Sequence, residues 1–150
     1  MRGDDAIGPK LVERFEQLSI QLDIDHCWDF QFCPEHALGF CDYDCILLID
    51  ASTEIKRPFC LKNLIPDEQL TTTSHSLSPA GLYKVFLSHI LEKDKKKPLV
   101  LQLEIKAYQF ELGSSLSARA QENLNIAWNY LHSILLQHHF FMVLYKLIRA

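Results

Sequence analysis

The segment from Cys45 to Ser52 constrains the fold most, because it is a short apolar run that ends abruptly on an acid. A continuous run of isoleucine and leucine of this length, bounded by polar residues, is typical of a strand buried on both faces of a parallel sheet. Asp50 then lies at the carboxyl end of the strand, where ligands bind in open α/β sheets because the loops there open into a crevice. Taken alone, Asp50 is better explained as a cap of the following turn, which is common for aspartate after a strand.

Three helices are predicted from apolar side chains that recur every three or four residues. The first is opened by Pro9 and follows a loop from Arg2 to Gly8, and the second is capped by Ser78 and begins at Pro79. A shorter helical turn is expected at Pro34. The apolar stripes are Leu11, Phe15 and Leu18 in the first helix, Leu82, Phe86 and His89, with Val85 and Ile90 alongside, in the second, and Leu124, Ala127, Trp128, Leu131 and Leu135 in the last.

Further strands are predicted between these helices from alternating apolar residues. One lies between Ser19 and Phe32, one runs from Arg57 to Leu64, and one begins at Leu99 and runs through Ile105 towards Phe110. Strands that alternate with helices of this length form βαβ units with right-handed crossovers. The predicted fold class is therefore α/β, a three-layer α/β/α arrangement with a mostly parallel sheet.

The length and the charge of the chain exclude several classes of function. The 150 residues suffice for one domain with a sizeable core. The formal net charge of -4 gives no basic surface for nucleic acid, and the dense cationic cluster from Lys95 to Lys97 is expected to be a solvated loop after a helix. The chain opens without a basic-then-apolar leader, and no run reaches the roughly 18 apolar residues of a membrane span. We therefore expect a cytoplasmic protein that binds neither nucleic acid nor membrane.

The usual signatures of hydrolases and metal sites are absent from the sequence. There is no Gly-x-Ser-x-Gly elbow, no His-Glu-x-x-His and no phosphate-binding glycine loop, which weakens serine hydrolase, zincin and nucleotide hypotheses. The five cysteines are odd in number and lack the paired spacing of zinc knuckles. Reduced thiols are expected, and a zinc site is the lesser alternative. The cysteines are Cys27, Cys33, Cys41, Cys45 and Cys60.

Four side chains that can carry chemistry belong to connections that can open at the same edge of the sheet. Asp4 and Asp5 precede the first helix, Asp50 ends the buried strand, and His75 lies in a hydroxyl-rich loop before the second helix. Carboxylates and an imidazole form a ligand set for a divalent transition metal such as nickel, zinc or copper. Plainer alternatives stay open, because an acid can simply stabilise a helix N-terminus and a lone histidine in a polar loop is more often a surface residue.

Four motifs, in this order and spacing, resemble those of the hydrogenase maturation endopeptidases. A weaker one, CPEHA at Cys33–Ala37, is similar to a branch that acts on cytoplasmic nickel–iron hydrogenases. The resemblance covers the chain from Met1 to Gln137, and four ordered motifs together are far more specific than any one of them. The four are RGDDAIGP at Arg2–Pro9, the apolar strand ending in Asp50-Ala51-Ser52, SHSLSPAGL at Ser74–Leu82 and FELGSSLS at Phe110–Ser117.

The resemblance implies an endopeptidase that removes a C-terminal peptide from the large-subunit precursor of a nickel–iron hydrogenase once nickel is in place. The family's metal-contacting residues fall on Asp5, Asp50 and His75 of this chain. Nickel is implied to arrive with the substrate precursor, so the protein senses the metal and does not bind it as a resident cofactor. Asp50 is the implied catalytic base of an aspartic-type reaction in which the metal polarises the carbonyl or activates the water. The precursor is the implied partner, and the family implies a monomer.

The resemblance divides the chain into a protease-like domain, residues 1–137, and an apolar tail of unassigned role, residues 138–150. Family members begin with an apolar strand that ends in a Gly-Asn pair just before the Arg-Gly-Asp-Asp segment, whereas this chain begins at Met1-Arg2. We therefore expect the first strand to be missing and two strand edges to be unpaired. In the tail, His138 and His139 are better explained as an incidental polar break than as a metal site.

Two rival interpretations stay open beside the protease. One is a non-catalytic module that binds the hydrogenase precursor without shortening it, and the other is a plain α/β domain whose acids are structural. Proteolysis requires Asp5, Asp50 and His75 to converge, whereas a binding module does not.

Overall fold

The computed structural model of the chain describes residues 3–18, 24–29, 31–66, 77–90 and 97–137. Two 3-10 helical segments, Gly3–Ala6 and Pro34–Asp42, accompany the regular elements. None of the helices in these ranges is long and apolar enough to cross a membrane. The helices are α1 (Ile7–Glu16), α2 (Pro79–His89) and α3 (Ala118–Leu135), and the strands are β1 (Cys45–Ser52), β2 (Phe59–Asn63) and β3 (Leu99–Lys106).

The three strands form a mixed sheet in the order β1-β3-β2. Strands β1 and β3 are parallel, with N–H to C=O hydrogen bonds from Leu99 to Asp44 at 3.0 Å and from Ala107 to Ser52 at 2.9 Å. Strands β3 and β2 are antiparallel, with bonds from Lys106 to Pro58 and from Leu64 to Val100, both at 2.9 Å. The predicted α/β class is confirmed, and the described sheet pairs one neighbouring strand in parallel and the other antiparallel.

Strand β1 is present where it was predicted, but it is less buried than a strand covered on both faces. Leu48 is buried at 7% exposure, while the other seven residues of β1 are half-buried. The physical reason is position, since β1 lies at one end of the described strand order and has β3 on one side only. The prediction of complete burial was therefore wrong for this strand.

One compact unit of the chain consists of Met1–Asp29, Ile49–Leu61 and Leu103–Ala150. In it, α1 packs against α3, and the Phe15 and Trp128 rings meet edge to face with centroids 5.2 Å apart. The predicted amphipathic helix is confirmed, but it begins at Ile7 and ends before Leu18. The segment predicted as a loop before it is instead a 3-10 turn followed by the first helical residues. The fully buried side chains of the two helices are Ile7, Leu11, Ala120, Leu124, Ala127 and Leu131.

The other compact unit consists of Phe30–Leu48 and Lys62–Gln102. Helix α2 begins as predicted, because the Ser78 hydroxyl accepts a hydrogen bond of 3.0 Å from the N–H of Gly81. The prediction that His89 belongs to the buried stripe was wrong, since His89 is exposed and its Nδ1 lies 2.8 Å from the carbonyl oxygen of Val85 in the last helical turn. The core of this unit is Ala37, Phe40, Leu48, Leu64, Leu82, Phe86 and Val100.

The strand predicted between Ser19 and Phe32 is absent from the described part of that segment, residues 24–29 and 31–32. Phe32 forms an isolated bridge with Leu77, and Trp28 is 54% exposed. A strand needs a partner edge for its backbone groups, and residues 24–29 belong to none of the described strands or bridges. Residues 19–23 of the same prediction lie outside the described residues, as do the loop from 67 to 76, the lysines 95 and 96 and the tail from 138 to 150.

Candidate functional site

Asp4 is fully buried at 0% exposure and ties three parts of the chain together. One carboxylate oxygen accepts hydrogen bonds from the N–H groups of Tyr108 and Gln109, at 2.7 and 3.1 Å, and from the Ser117 hydroxyl at 2.9 Å. The other oxygen accepts from the N–H of Ser117 at 2.7 Å. Burial alone raises the pKa of the Asp4 carboxyl, but these hydrogen bonds outweigh burial and hold the pKa below 3.8. Asp4 is thus a structural anion, and its bonds leave it no role in holding a ligand.

The 3-10 turn that carries both acids is fixed by a close approach at its first residue. Gly3 has φ +54°, and a Cβ there would lie 2.7 Å from the Gln109 carbonyl oxygen and 2.7 Å from the Ser114 hydroxyl. The N–H of Gly3 donates to the Ser114 carbonyl at 3.1 Å, and the N–H of Asp4 donates to the Gln109 carbonyl at 2.8 Å. Only glycine fits this position. The close approach at Gly3 fixes the turn, and the turn then fixes the backbone of Asp5.

Asp5 and Asp50 are brought together in the same compact unit. Asp5 is exposed at the start of the turn before α1, whereas Asp50 is half-buried near the carboxyl end of β1. Burial raises the pKa of the Asp50 carboxyl to about 6, a hydrogen bond from the N–H of Ala51 partly opposes this, and the nearby charges of Asp5 and Glu104 raise it further. Two of the three predicted ligands therefore interact electrostatically across the first loop and the first strand.

Glu104 is a third acid at this place that the sequence analysis did not single out. The hydrogen bonds between β1 and β3 set a register in which Glu104 lies directly beside Asp50 on the same face of the sheet. The signal was present in the sequence, because Gln102, Glu104 and Lys106 are polar residues at alternate positions of a strand whose other residues are apolar. Which strand β3 pairs with, and in which register, follows from long-range contacts that a single sequence does not display.

His75, the third predicted ligand, and the histidines of the tail lie outside the described residues. Over residues 3–18, 24–29, 31–66, 77–90 and 97–137, no three side chains of histidine, cysteine, aspartate or glutamate are grouped so that they could hold a metal ion. The structure thus places Asp5 and Asp50 near each other, places Asp4 elsewhere, and leaves the contribution of His75 as a prediction.

The five cysteines form no disulfide, and Cys45 is the thiol whose reactivity its surroundings change most clearly. All five are free. Burial, together with the negative charge of Asp44, raises the pKa of the Cys45 thiol to about 12, so this thiol stays protonated and is a poor nucleophile at neutral pH.

Comparison with solved structures gives the class of this fold. The chain is similar to the NiFe hydrogenase maturation protease HycI from Thermococcus kodakarensis, with 18% identity, a TM-score of 0.67 and coverage of 91% of this chain and 86% of that one. It is also similar to the hydrogenase maturating endopeptidase HybD from E. coli, with 20% identity, a TM-score of 0.62 and coverage of 89% and 85%. A hydrogenase 2 maturation peptidase from a Thaumarchaeota archaeon aligns over 89% of this chain and 90% of its own, with 18% identity and a TM-score of 0.59.

The chain therefore has the fold of the hydrogenase maturation peptidases, and the resemblance read from the four sequence motifs is confirmed at the level of the fold. No protein-family model matches the chain, and no curated protein matches it in sequence.

Proposed function

We propose that the protein is an endopeptidase that removes a C-terminal peptide from the nickel-loaded large-subunit precursor of a nickel–iron hydrogenase. The observation that carries this proposal is the pairing of Asp50, whose pKa is raised to about 6, with the exposed Asp5 on the fold of the maturation peptidases. Carboxyl groups with shifted pKa values cluster at functional sites, because burial and nearby like charges there adjust the pKa to the reaction.

In this proposal nickel is part of the substrate. Ionisation of Asp50 is unfavourable because the carboxylate is partly desolvated and lies near two other acids. A divalent cation brought by the precursor would offset the desolvation penalty and the repulsion between the carboxylates. His75 is proposed to complete the metal-contacting set, since an imidazole suits nickel. Contact between these residues and the loaded metal would make cleavage conditional on metal insertion.

Asp50 is also proposed as the general base. In the metal-free chain a carboxyl with a pKa of about 6 is mostly ionised at neutral pH. The precursor's cation would lower this pKa, so the proposed base is a carboxylate oxygen of Asp50 that does not contact the metal and accepts a proton from the attacking water. The water oxygen forms a bond to the scissile carbonyl carbon, and the precursor's own metal stabilises the charge on the carbonyl oxygen. Asp50 then returns the proton to the leaving amine as the C–N bond breaks, which leaves a new carboxyl terminus and a free peptide.

The test is the intact mass of a nickel-loaded precursor before and after incubation with the protein. We expect loss of one C-terminal peptide, no change with nickel-free precursor, and no cleavage by the Asp5→Asn, Asp50→Asn and His75→Gln variants. Asp42→Asn is the matched control, because Asp42 is an exposed acid outside the proposed site. Full activity in any of the three site variants would remove that residue from the mechanism.

Retained binding with an unchanged precursor mass would instead identify the protein as the non-catalytic module. The proposal further assigns the protein to the cytoplasm as a monomer that acts on a single precursor chain. The free state of all five cysteines supports a reducing compartment.

A further inference from the structure

A run of exposed apolar side chains follows β3, next to the segments that Asp4 ties together. Tyr108, Phe110 and Leu112 occupy alternate positions and are 37%, 40% and 78% exposed. The residues between them, Gln109 and Glu111, are polar. Three large apolar side chains that stay exposed within one short segment make this segment a candidate interaction surface.

The ring of Tyr108 is held in place from several sides. The Nδ2 of Asn123 donates hydrogen bonds to the Tyr108 hydroxyl at 3.1 Å and to the Lys106 carbonyl oxygen at 3.0 Å. The Lys106 ammonium lies 5.9 Å from the ring centroid and donates to the carbonyl oxygen of Thr53. A ring fixed in this way can serve as a preorganised contact, because little side-chain entropy is left to lose on binding.

Arg119 also lies over this ring, with its guanidinium carbon 4.1 Å from the centroid. The side chain is exposed, and within the part of the chain that the structure describes no carboxylate pairs with it. Its place in the first turn of α3 is unfavourable for a cation, because the N-terminal end of a helix carries partial positive charge. An anionic partner would relieve this arrangement, and no residue in the described ranges supplies one.

We propose that Tyr108, Phe110, Leu112 and Arg119 form a docking surface for a segment of the hydrogenase precursor in which an acidic side chain lies among apolar residues. The guanidinium would bind the carboxylate, and the three apolar side chains would cover the flanking residues.

The surface belongs to the same compact unit of the chain as Asp5 and Asp50 of the proposed site. The N–H of Tyr108 donates to the Asp4 carboxylate at 2.7 Å, and Asp5 is the next residue of that turn. A segment bound on this surface would tether the precursor to the compact unit that carries Asp5 and Asp50, which would raise the local concentration of the scissile bond at the site. The inference rests on the proposed function and names how that function selects its substrate.

The experiment measures the dissociation constant of the nickel-loaded precursor by titration calorimetry. The reference chain and every variant also carry Asp50→Asn in this measurement, so that the precursor is bound without being cleaved, and cleavage is followed separately in chains that retain Asp50. Arg119→Gln and Leu112→Ser are each expected to weaken binding by about tenfold. Each variant has a control with the same substitution at another position. Arg14→Gln is the control for Arg119→Gln, and the Arg14 side chain donates a hydrogen bond to Asn125. Ile65→Ser is the control for Leu112→Ser, because Ile65 is 77% exposed and Leu112 is 78% exposed. Both controls are expected to bind as the unaltered chain does, and the unfolding temperature of each variant is checked alongside.

A photo-crosslinker at position 112 then identifies the bound segment by mass spectrometry. The proposal predicts an aspartate or glutamate within a few residues of the crosslink, and exchange of that acid for arginine is expected to restore binding to the Arg119→Glu variant. Cleavage with unchanged affinity in Arg119→Gln and Leu112→Ser would overturn the docking surface and leave the proposed function standing. A loss confined to Leu112→Ser would overturn the acidic character of the segment. If the unaltered chain neither binds nor cleaves the precursor, the proposed function fails and this inference fails with it.

Discussion

Asp4 and Asp5 are adjacent in the chain, but their carboxylates lie in different surroundings. Asp4 is buried and accepts three backbone N–H groups and one hydroxyl, whereas Asp5 is exposed beside Asp50. Asp4→Asn replaces one accepting oxygen by an amide N–H₂ that faces N–H donors, so buried donors are left unpaired. We expect the free energy of unfolding to fall by on the order of 2–3 kcal/mol.

Asp5→Asn is the matched variant for this prediction. A surface substitution of this kind is expected to leave the free energy of unfolding within about 0.5 kcal/mol of its original value, while it abolishes cleavage. Urea denaturation of both variants at pH 7, together with the precursor mass assay, separates the two effects. An Asp4→Asn chain as stable as the original would show that the hydrogen bonds to Asp4 contribute little.

The sequence alone could suggest that one of these acids was structural, but not which one. Two adjacent acids before a helix are compatible with capping, with ligand binding or with both. The distinction depends on Tyr108, Gln109 and Ser117, which are more than one hundred residues further along the chain. Glu104 was missed for the same reason, because its place beside Asp50 is set by strand pairing.

At the scale of elements, the local signals of the helices were sufficient. The Ser78-Pro79 pair and the apolar periodicities predicted α1, α2 and α3. They were sufficient because a helix cap and a helical face are each determined by residues only a few positions apart in the sequence. The strand predicted between Ser19 and Phe32 failed in its described part, because an alternating pattern forms a strand only where a partner edge accepts its backbone groups.

The two helix caps give a prediction at this scale. The Ser78 hydroxyl accepts one hydrogen bond, from Gly81, whereas the Ser117 hydroxyl accepts from Ala120 at 3.2 Å and also donates to Asp4 at 2.9 Å. Ser78→Ala is expected to lower the free energy of unfolding by about 1 kcal/mol and Ser117→Ala by about 2 kcal/mol, because the latter also takes a donor from a buried carboxylate.

Ser133→Ala is the control for the caps, since Ser133 lies inside α3 and its hydroxyl bonds only to the Tyr130 carbonyl of the preceding turn. Alanine is the better helix former there, so a neutral or slightly stabilising effect is expected. Thermal unfolding of the three variants at pH 7 gives the order of their stability losses. Equal losses at positions 78 and 117 would indicate that the bond from Ser117 to Asp4 does not stabilise the fold.

For the whole molecule, Asp4 and Asp50 make opposite contributions to the pH dependence of stability. The pKa of Asp4 is lowered in the folded chain, so its stabilisation is present above its ordinary pKa of 3.8 and is lost as the pH falls through the lower folded value. The pKa of Asp50 is raised to about 6, so the folded chain holds that proton more tightly than the unfolded chain does. Stability from this group therefore decreases between about pH 4 and pH 6 and stays reduced above that window.

These two contributions predict a maximum of stability near pH 4 and a lower free energy of unfolding at neutral pH. At about 1.4 kcal/mol per pKa unit, the ionisation of Asp50 costs the folded state on the order of 2–3 kcal/mol at pH 7.5. Asp50→Asn should then be more stable than the original chain at pH 7.5 and equal to it near pH 3.5, although it does not cleave the precursor. Urea unfolding followed between pH 3.5 and 8 measures the difference. An Asp50→Asn variant that gains no stability as the pH rises would mean that the carboxylate is solvated well enough to ionise freely, and Asp50 would then lose its suitability as a base poised near neutral pH.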